Sequence, residues 1–168
     1  VWSADEERSD RTLNGIAAVT ANRALGRQGE IPWHYPEDFK FFKRTTMDSA
    51  IVAGEPTWRG LPPLKRRLMI ILSFQPIPDC PRDAVNVTTI EQVETLAAYI
   101  DRPVYIIGGA SVYRAFADRV DHWWITHIPD SPDGCDAFFP ENWDRGFERE
   151  KTIQLTDQIE AAFYTRIK

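Results

Sequence analysis

The sequence predicts an α/β fold, a mainly parallel, helix-covered sheet with an antiparallel strand added near its end. Two patterns and a size carry this prediction. Through the first two thirds of the chain, short apolar runs of strand length alternate with helical patterns, the order that builds parallel crossovers. In the last third, strand follows strand, which brings in the antiparallel neighbour. At 168 residues and 43% hydrophobic content the chain fills one core and is too short for two comfortable ones. The expected organisation is a polar leader over 1–12 and a single domain over 13–168. No internal repeat or low-complexity segment interrupts it.

The elements follow in order. Leu13 to Val19 is a mostly apolar run that fits a strand covered on both faces. Thr20 to Ile31, punctuated by Gly26 and Gly29, is expected to be a mobile loop. A helix starts at Pro36, where the missing N–H costs nothing, with Glu37 and Asp38 in its first turn. Ala50 to Gly54 and Leu68 to Ser73 are further buried strands, the latter introduced by a proline turn and the basic run Lys65-Arg66-Arg67. Phe74 to Asp83 holds three prolines and must be loop. After a brief strand over Ala84 to Val87, Thr88 or Thr89 caps a helix running through Ile100. Val104 to Ile107 is another strand, broken by Gly108-Gly109, and Ala110 to Ala117 a short helix. His122 to Ile128, Phe147 to Leu155 and Ala161 to Ile167 complete the strands.

Composition removes several classes of partner. A net charge of −5 argues against a broad nucleic-acid or anionic-membrane surface. No apolar run approaches a membrane span, and the first twelve residues lack an apolar signal core. Cys80 and Cys135 lie in loops without metal-ligand spacing and are expected to be free thiols in a reducing, cytoplasmic compartment. His34 and His122 have no partners at metal spacing, so no metal site is expected.

The chemistry concentrates at the start of the first helix. Helical spacing places Asp38 beside Phe41 and Phe42. Such a carboxylate either faces solvent and complements the helix dipole, or is held in a cleft to pair with a cationic or amidine-like group. Ligands of open α/β sheets collect at the carboxyl ends of strands, and Gly54 before Thr57 and Gly108-Gly109 before Ser111 are two turns of that kind. An inward Arg from the 65–67 run is suited to clamp a carboxylate.

Taken in series, these stretches resemble a dihydrofolate reductase, from about Ile16 to the C-terminus. The carriers are Ile16-Ala17-Ala18, Asn22-Arg23-Ala24-Leu25-Gly26, Ile31-Pro32-Trp33, Pro36-Glu37-Asp38-Phe39 and Phe42-Lys43-Arg44. Gly54 with Thr57-Trp58, Arg67 before Ile70-Ile71-Leu72-Ser73, Ile107-Gly108-Gly109 with Tyr113, Thr126, and Asp136-Ala137-Phe138-Phe139-Pro140 follow in order. The resemblance implies a sheet of about eight strands flanked by about four helices.

It also implies roles. Asp38 becomes the acid of a pterin pocket, gripping the 2-amino group and a ring nitrogen, with Thr126 hydrogen-bonded to it and Trp33 ordering a water. Ala18, Phe39, Phe42 and Leu64 would wall the substrate, and Arg67 would clamp the glutamate α-carboxylate of dihydrofolate. On the cofactor side, Ala17, Leu25, Gly26, Ile107 and Tyr113 would surround the nicotinamide and ribose of NADPH. Gly54, Thr57, Ser73 and the Gly108-Gly109-Ala110-Ser111 turn would hold its phosphates. The implied reaction is hydride transfer to pterin C6 with protonation at N5, in a monomeric protein.

Departures from the family pattern cluster on the cofactor side. Glu55, Phe74 and Ser111 stand where basic or polar residues usually meet the adenosine 2′-phosphate, which makes NADH an alternative unless Lys65, Arg66 or Arg59 reaches in. Cys135 replaces the usual Gly before Asp136, in a loop expected to touch the Arg23 to Ile31 segment. Two other activities compete: a pterin-binding protein without catalysis, supported by those same three residues, and a reductase of another heterocycle such as a ribityl-pyrimidine. The latter group lacks the arrangement kept by Trp33, Pro36 and Asp38.

Overall fold

The computed structural model describes residues 12–168, and among these described residues there are ten strands and four helices; residues 1–11 of the expected leader lie outside the described residues. The order is β1 (Leu13–Thr20), β2 (Ala24–Gly26), α1 (Pro36–Thr45), β3 (Ala50–Gly54), α2 (Glu55–Gly60), β4 (Leu68–Leu72) and β5 (Ala84–Val87). It continues with α3 (Ile90–Tyr99), β6 (Val104–Gly108), α4 (Ala110–Phe116), β7 (His122–Ile128), β8 (Ala137–Phe138), β9 (Phe147–Gln154) and β10 (Glu160–Arg166). Eight strands form one sheet in the order β5-β4-β3-β6-β1-β7-β10-β9, while β2 and β8 pair separately. Every neighbour from β5 to β7 is parallel, and β10 is the strand that runs against both its neighbours, as the strand-after-strand pattern predicts.

Local chemistry accounts for the helix starts. Thr89, rather than Thr88, caps α3 in a capping box: its Oγ1 accepts from the Gln92 amide (3.1 Å), and Gln92 Oε1 accepts from the Thr89 amide (3.2 Å). Val93 and Ala97 on that helix are fully buried. α1 has Pro36 in its first turn with Glu37 and Asp38, and Lys43 and Arg44 in its last, so both ends complement its dipole.

Alternation along β1 divides the core between two faces. Leu13, Ala17 and Val19 join α3 and α4 side chains on one face; Ile16 joins Phe41 of α1, Trp124 and Ala161 on the other. Gly15 is required on the first face, because a Cβ there would lie 2.0 Å from the Trp123 ring.

The sheet opens where the ligand-sized space lies. β6 is wedged between β1 and β3, but its ladder to β1 ends at Gly15↔Ile106, while β1 continues beside β7 as far as Thr20↔Ile128. The last residues of β6 therefore part from Ile16–Ala18. This split is the place where successive connections begin to run to opposite sides of the sheet, the position at which open α/β sheets form a crevice.

Three elements were not delimited from sequence. β2 and β8 are three and two residues long, too short for a period to show, and β2 falls inside the segment expected to be loop. α2 is only six residues and contains Pro56 in its first turn.

Candidate active site

A cleft of about 470 Å³ opens at this split in the sheet. Its floor is β1 (Ile16, Ala17, Ala18) and the end of β6 (Ile107, Gly108), and one wall is α1 with Asp38, Phe39 and Phe42. Leu25 and Gly26 of β2 close it from above the strand ends, and Thr57 with Gly109, Ala110 and Tyr113 form the other end.

The position of Asp38 follows from helix and strand spacing. Phe41 packs edge-on against Trp124 of β7, ring centroids 5.1 Å apart. One turn back on α1, about 4.5 Å, stands Asp38, and two residues on along β7, about 6.6 Å, stands Thr126 on the same face. This brings the two side chains to the same part of the cleft, where the Thr126 hydroxyl lowers the Asp38 pKa as a hydrogen-bonding neighbour. Room above Thr126 is left by its ladder partners Ala18 and Ala161, which carry only methyl groups.

Electrostatically, Asp38 has no cation beside it among the described residues. Desolvation raises its pKa, and the Thr126 hydrogen bond, which lowers it, is the weaker influence. Burial thus outweighs the stabilisation of the anion that Thr126 provides. The neighbouring Tyr113 is pushed far above its ordinary value, first by burial and then by the charge of Asp38, and its hydroxyl donates to the Ile16 carbonyl (2.6 Å). That bond ties α4 to the cleft floor.

At the far end the two glycine turns come together. Gly108 has φ +121°, and a Cβ on it would lie 3.2 Å from the Tyr113 ring; a Cβ on Gly109 would lie 3.2 Å from Thr57 Oγ1, and one on Gly54 3.1 Å from Val112 Cγ2. The Gly108–Gly109 peptide is cis. These contacts keep side chains out of the space between α2 and α4, whose first amides have no intrahelical acceptor. A bare backbone cradle of this kind fits the diphosphate of a dinucleotide.

Several residues singled out from sequence lie elsewhere. Trp33, partly buried in the turn before α1, does not line the cleft. Ser73 is engaged between β4 and β5, donating to the Gln75 carbonyl (2.6 Å) and accepting from Asn86 Nδ2 (3.0 Å). Ser111 is exposed in the first turn of α4, and Phe74 is 98% exposed. Leu64 and Arg67 line a second groove of about 380 Å³, which shares Leu61 with the first. Arg67 is held there by donating to Thr46 Oγ1 (3.3 Å), the Lys65 carbonyl (2.6 Å) and the Lys43 carbonyl. Residues missed from sequence include Pro56, Leu61 and Glu30, whose only signal is adjacency to the glycine and proline turns.

The β7–β8 loop does touch the segment over Arg23 to Ile31. Asp136 accepts from the Gln28 amide (3.1 and 3.3 Å), and Arg27 donates to the Asp133 carbonyl (2.8 Å). Cys135 between them is partly buried, its Sγ 3.6 Å from the Pro132 carbonyl.

A carboxyl group under aromatic rings at one end of a strand-end cleft, facing a glycine cradle at the other, defines the class: a two-ligand site of the kind used by nucleotide-dependent oxidoreductases. Comparison narrows it. The family model described as Dihydrofolate reductase matches residues 12–168. Dihydrofolate reductase HdrB of Haloferax volcanii is 38% identical over 143 residues, 78% of this chain and 71% of that protein. The dihydrofolate reductase of Neisseria gonorrhoeae is 38% identical over 128 residues, 75% and 77% of the two chains. Among solved structures, dihydrofolate reductase from Enterococcus faecalis complexed with NADP(H) and RAB-propyl aligns with a TM-score of 0.85 at 27% identity, covering 95% of this chain and 98% of that one. The chain belongs to the dihydrofolate reductase family.

Proposed function

We propose that the protein reduces dihydrofolate to tetrahydrofolate with a reduced nicotinamide dinucleotide. One observation carries the proposal: Asp38 is a carboxyl group of raised pKa, without a cation partner among the described residues, on the wall of a cleft that a flat ring can enter. An amidine-like edge, with an amino group and a ring nitrogen, gives that carboxylate the charge-assisted hydrogen bonds it lacks.

The residues of this chain then do three things. Asp38 and Thr126 fix the pterin edge, while Ala18, Phe39 and Phe42 provide the walls that hold its plane and keep out bulk water. Ala17, Leu25, Gly26, Ile107 and Tyr113 surround the space beside it, and Gly54, Thr57 and the Gly108 to Ser111 turn hold the diphosphate. The nicotinamide supplies the hydride. Asp38 tunes the pterin for protonation at N5, and water delivers the proton; Trp33, in the turn before α1 and outside the cleft lining, acts on that water only indirectly. Arg67 meets the glutamate α-carboxylate with Leu64 beside it.

NADPH preference is weakened. Arg59, the base nearest Glu55, is already shared between Glu55 (3.3 Å) and a bidentate pairing with Asp79 (3.1 and 3.2 Å), and Arg66 is bound to Asp48 (2.9 and 2.7 Å). The same proposal has a monomer working in a reducing cytoplasm, with Cys80 and Cys135 free.

Mixing the protein with dihydrofolate and either cofactor, and following loss of reduced-nicotinamide absorbance, tests both statements. Dihydrofolate-dependent oxidation supports the reductase; none supports the pterin-binding protein without catalysis. A strong NADPH preference overturns the cofactor statement alone.

A further inference from the structure

The entry into α1 is tied to the chain leaving β7 by a contact that the mechanism above does not use. The Tyr35 hydroxyl donates to the Asp130 carboxylate, 95 residues on in sequence. Both side chains are half-buried, and neither lines the cleft. Asp130 has no cation partner among the described residues, so the phenol is what its charge holds. The hydrogen bond raises the Tyr35 pKa, which keeps on the phenol the proton it donates.

The contact fixes the start of the helix that carries Asp38. Tyr35 is the N-cap of α1 but offers no side-chain cap; its carbonyl instead accepts from the Asp38 amide (3.0 Å). Wherever Tyr35 is held, the backbone under Asp38 is held too. Asp130 in turn lies four residues beyond Thr126, the hydrogen-bonding neighbour of Asp38. Helix start and strand end are therefore joined at two points, Asp38 with Thr126 at the cleft wall and Tyr35 with Asp130 behind it. One attachment leaves the first turn free to pivot, and with no side-chain cap that turn is prone to fray. Two attachments set its angle.

We infer that Tyr35 and Asp130 are positioning residues for Asp38: their hydrogen bond locks the first turn of α1 against the end of β7 and aims the Asp38 carboxylate at the pterin edge. The inference rests on the function proposed above for the identity of the ligand, and on the geometry alone for the lock.

The test compares the full chain with Tyr35→Phe, which removes only the hydroxyl, with Asp130→Ala, and with Asp130→Asn, which keeps an acceptor oxygen. The dihydrofolate KM is expected to rise about tenfold in Tyr35→Phe and in Asp130→Ala, equivalent to one misaligned charge-assisted hydrogen bond, while the nucleotide KM stays the same. Combining the two substitutions should do no more than either alone, and Asp130→Asn should retain the wild-type value. Carbon NMR of carboxyl-labelled protein, with the Asp38 signal assigned by its loss in Asp38→Asn, supplies a readout that needs no ligand. As water reaches the loosened turn, the raised Asp38 pKa is expected to move down towards the ordinary carboxylate range in Tyr35→Phe. Dihydrofolate and nucleotide KM values that move together, or an unchanged dihydrofolate KM, overturn the inference. If wild type does not oxidise reduced nicotinamide with dihydrofolate, the reductase reading fails by itself, and the Asp38 titration decides the positioning role: an unmoved curve overturns it.

Discussion

The two ends of the cleft are built from different materials. At the pterin end the work falls to side chains on regular elements: Asp38 on α1, Thr126 on β7 and the rings of Phe39 and Phe42. At the nucleotide end it falls to bare backbone, the turns at Gly54 and Gly108-Gly109 brought together beside Thr57. Their carboxylates differ in the same way. Asp38 is desolvated without a cation, and its pKa is raised; Asp79 is exposed, is hydrogen-bonded by Arg59, and has a lowered pKa. A site made of one side chain is lost with that side chain, whereas a backbone cradle keeps its shape while the charges around it change. The second end is therefore where changes of charge, such as Glu55, are expected to be tolerated.

The sharpest way to break the contrast is Asp38→Asn. Turnover is expected to fall by at least ~10²-fold at neutral pH with the fold retained, the low end for a group acting on proton transfer. Stability should move the other way. In strong acid the Asp38 carboxyl is neutral in folded and unfolded chains alike. As pH rises past the ordinary carboxylate range, the unfolded chain loses this proton first, because the folded value is raised. Wild type thus sheds stability through that window and remains penalised above it, a penalty the amide does not incur. Melting temperatures of both proteins across pH should converge in acid, with the variant higher at neutral pH. Undiminished turnover would remove Asp38 from the mechanism, and parallel melting curves would mean that its carboxyl is hydrated.

The same contrast explains what the sequence disclosed. Asp38, Phe39 and Phe42 stand out because a helix period turns an acid toward rings, and the strand runs from Leu13 to Ile128 carry their own apolar pattern. The Thr89 box is legible as a capping residue followed three places on by Gln92. The opening of the sheet is not legible, since it depends on where the β1–β6 ladder stops, a register between residues about ninety apart in sequence. Nor is the pairing of Arg59 with Asp79, twenty residues on in a proline-rich loop. Ser73, expected among the cofactor contacts, also closes the β4–β5 connection, and position alone does not disclose that use.

Gly109→Ala probes the backbone end with a smaller expected effect. The added Cβ would stand 3.2 Å from Thr57 Oγ1, so either that hydroxyl shifts or the turn does. The nucleotide KM is expected to rise about tenfold, equivalent to one charge-assisted hydrogen bond, with pterin-site affinity unchanged. If pterin affinity fell equally, the two ends would be one mechanical unit and the contrast would dissolve.

Glu55→Gln should have the smallest effect and bears on the rewritten charges. Glu55 opens α2 and shares Arg59 with Asp79, so two carboxylates face one guanidinium and the group carries a net charge of −1. The amide leaves Arg59 with Asp79 and brings the group to neutrality without altering backbone or volume. A phosphate on the adenosine ribose gains from that change, whereas a plain ribose hydroxyl does not. The ratio of kcat/KM for NADPH to that for NADH is expected to rise about threefold, as befits exposed charges, and the gain should shrink as salt is added. A ratio that does not move would place Glu55 outside the phosphate's field, and the source of any cofactor preference would then have to be a residue beyond the Glu55–Arg59–Asp79 group.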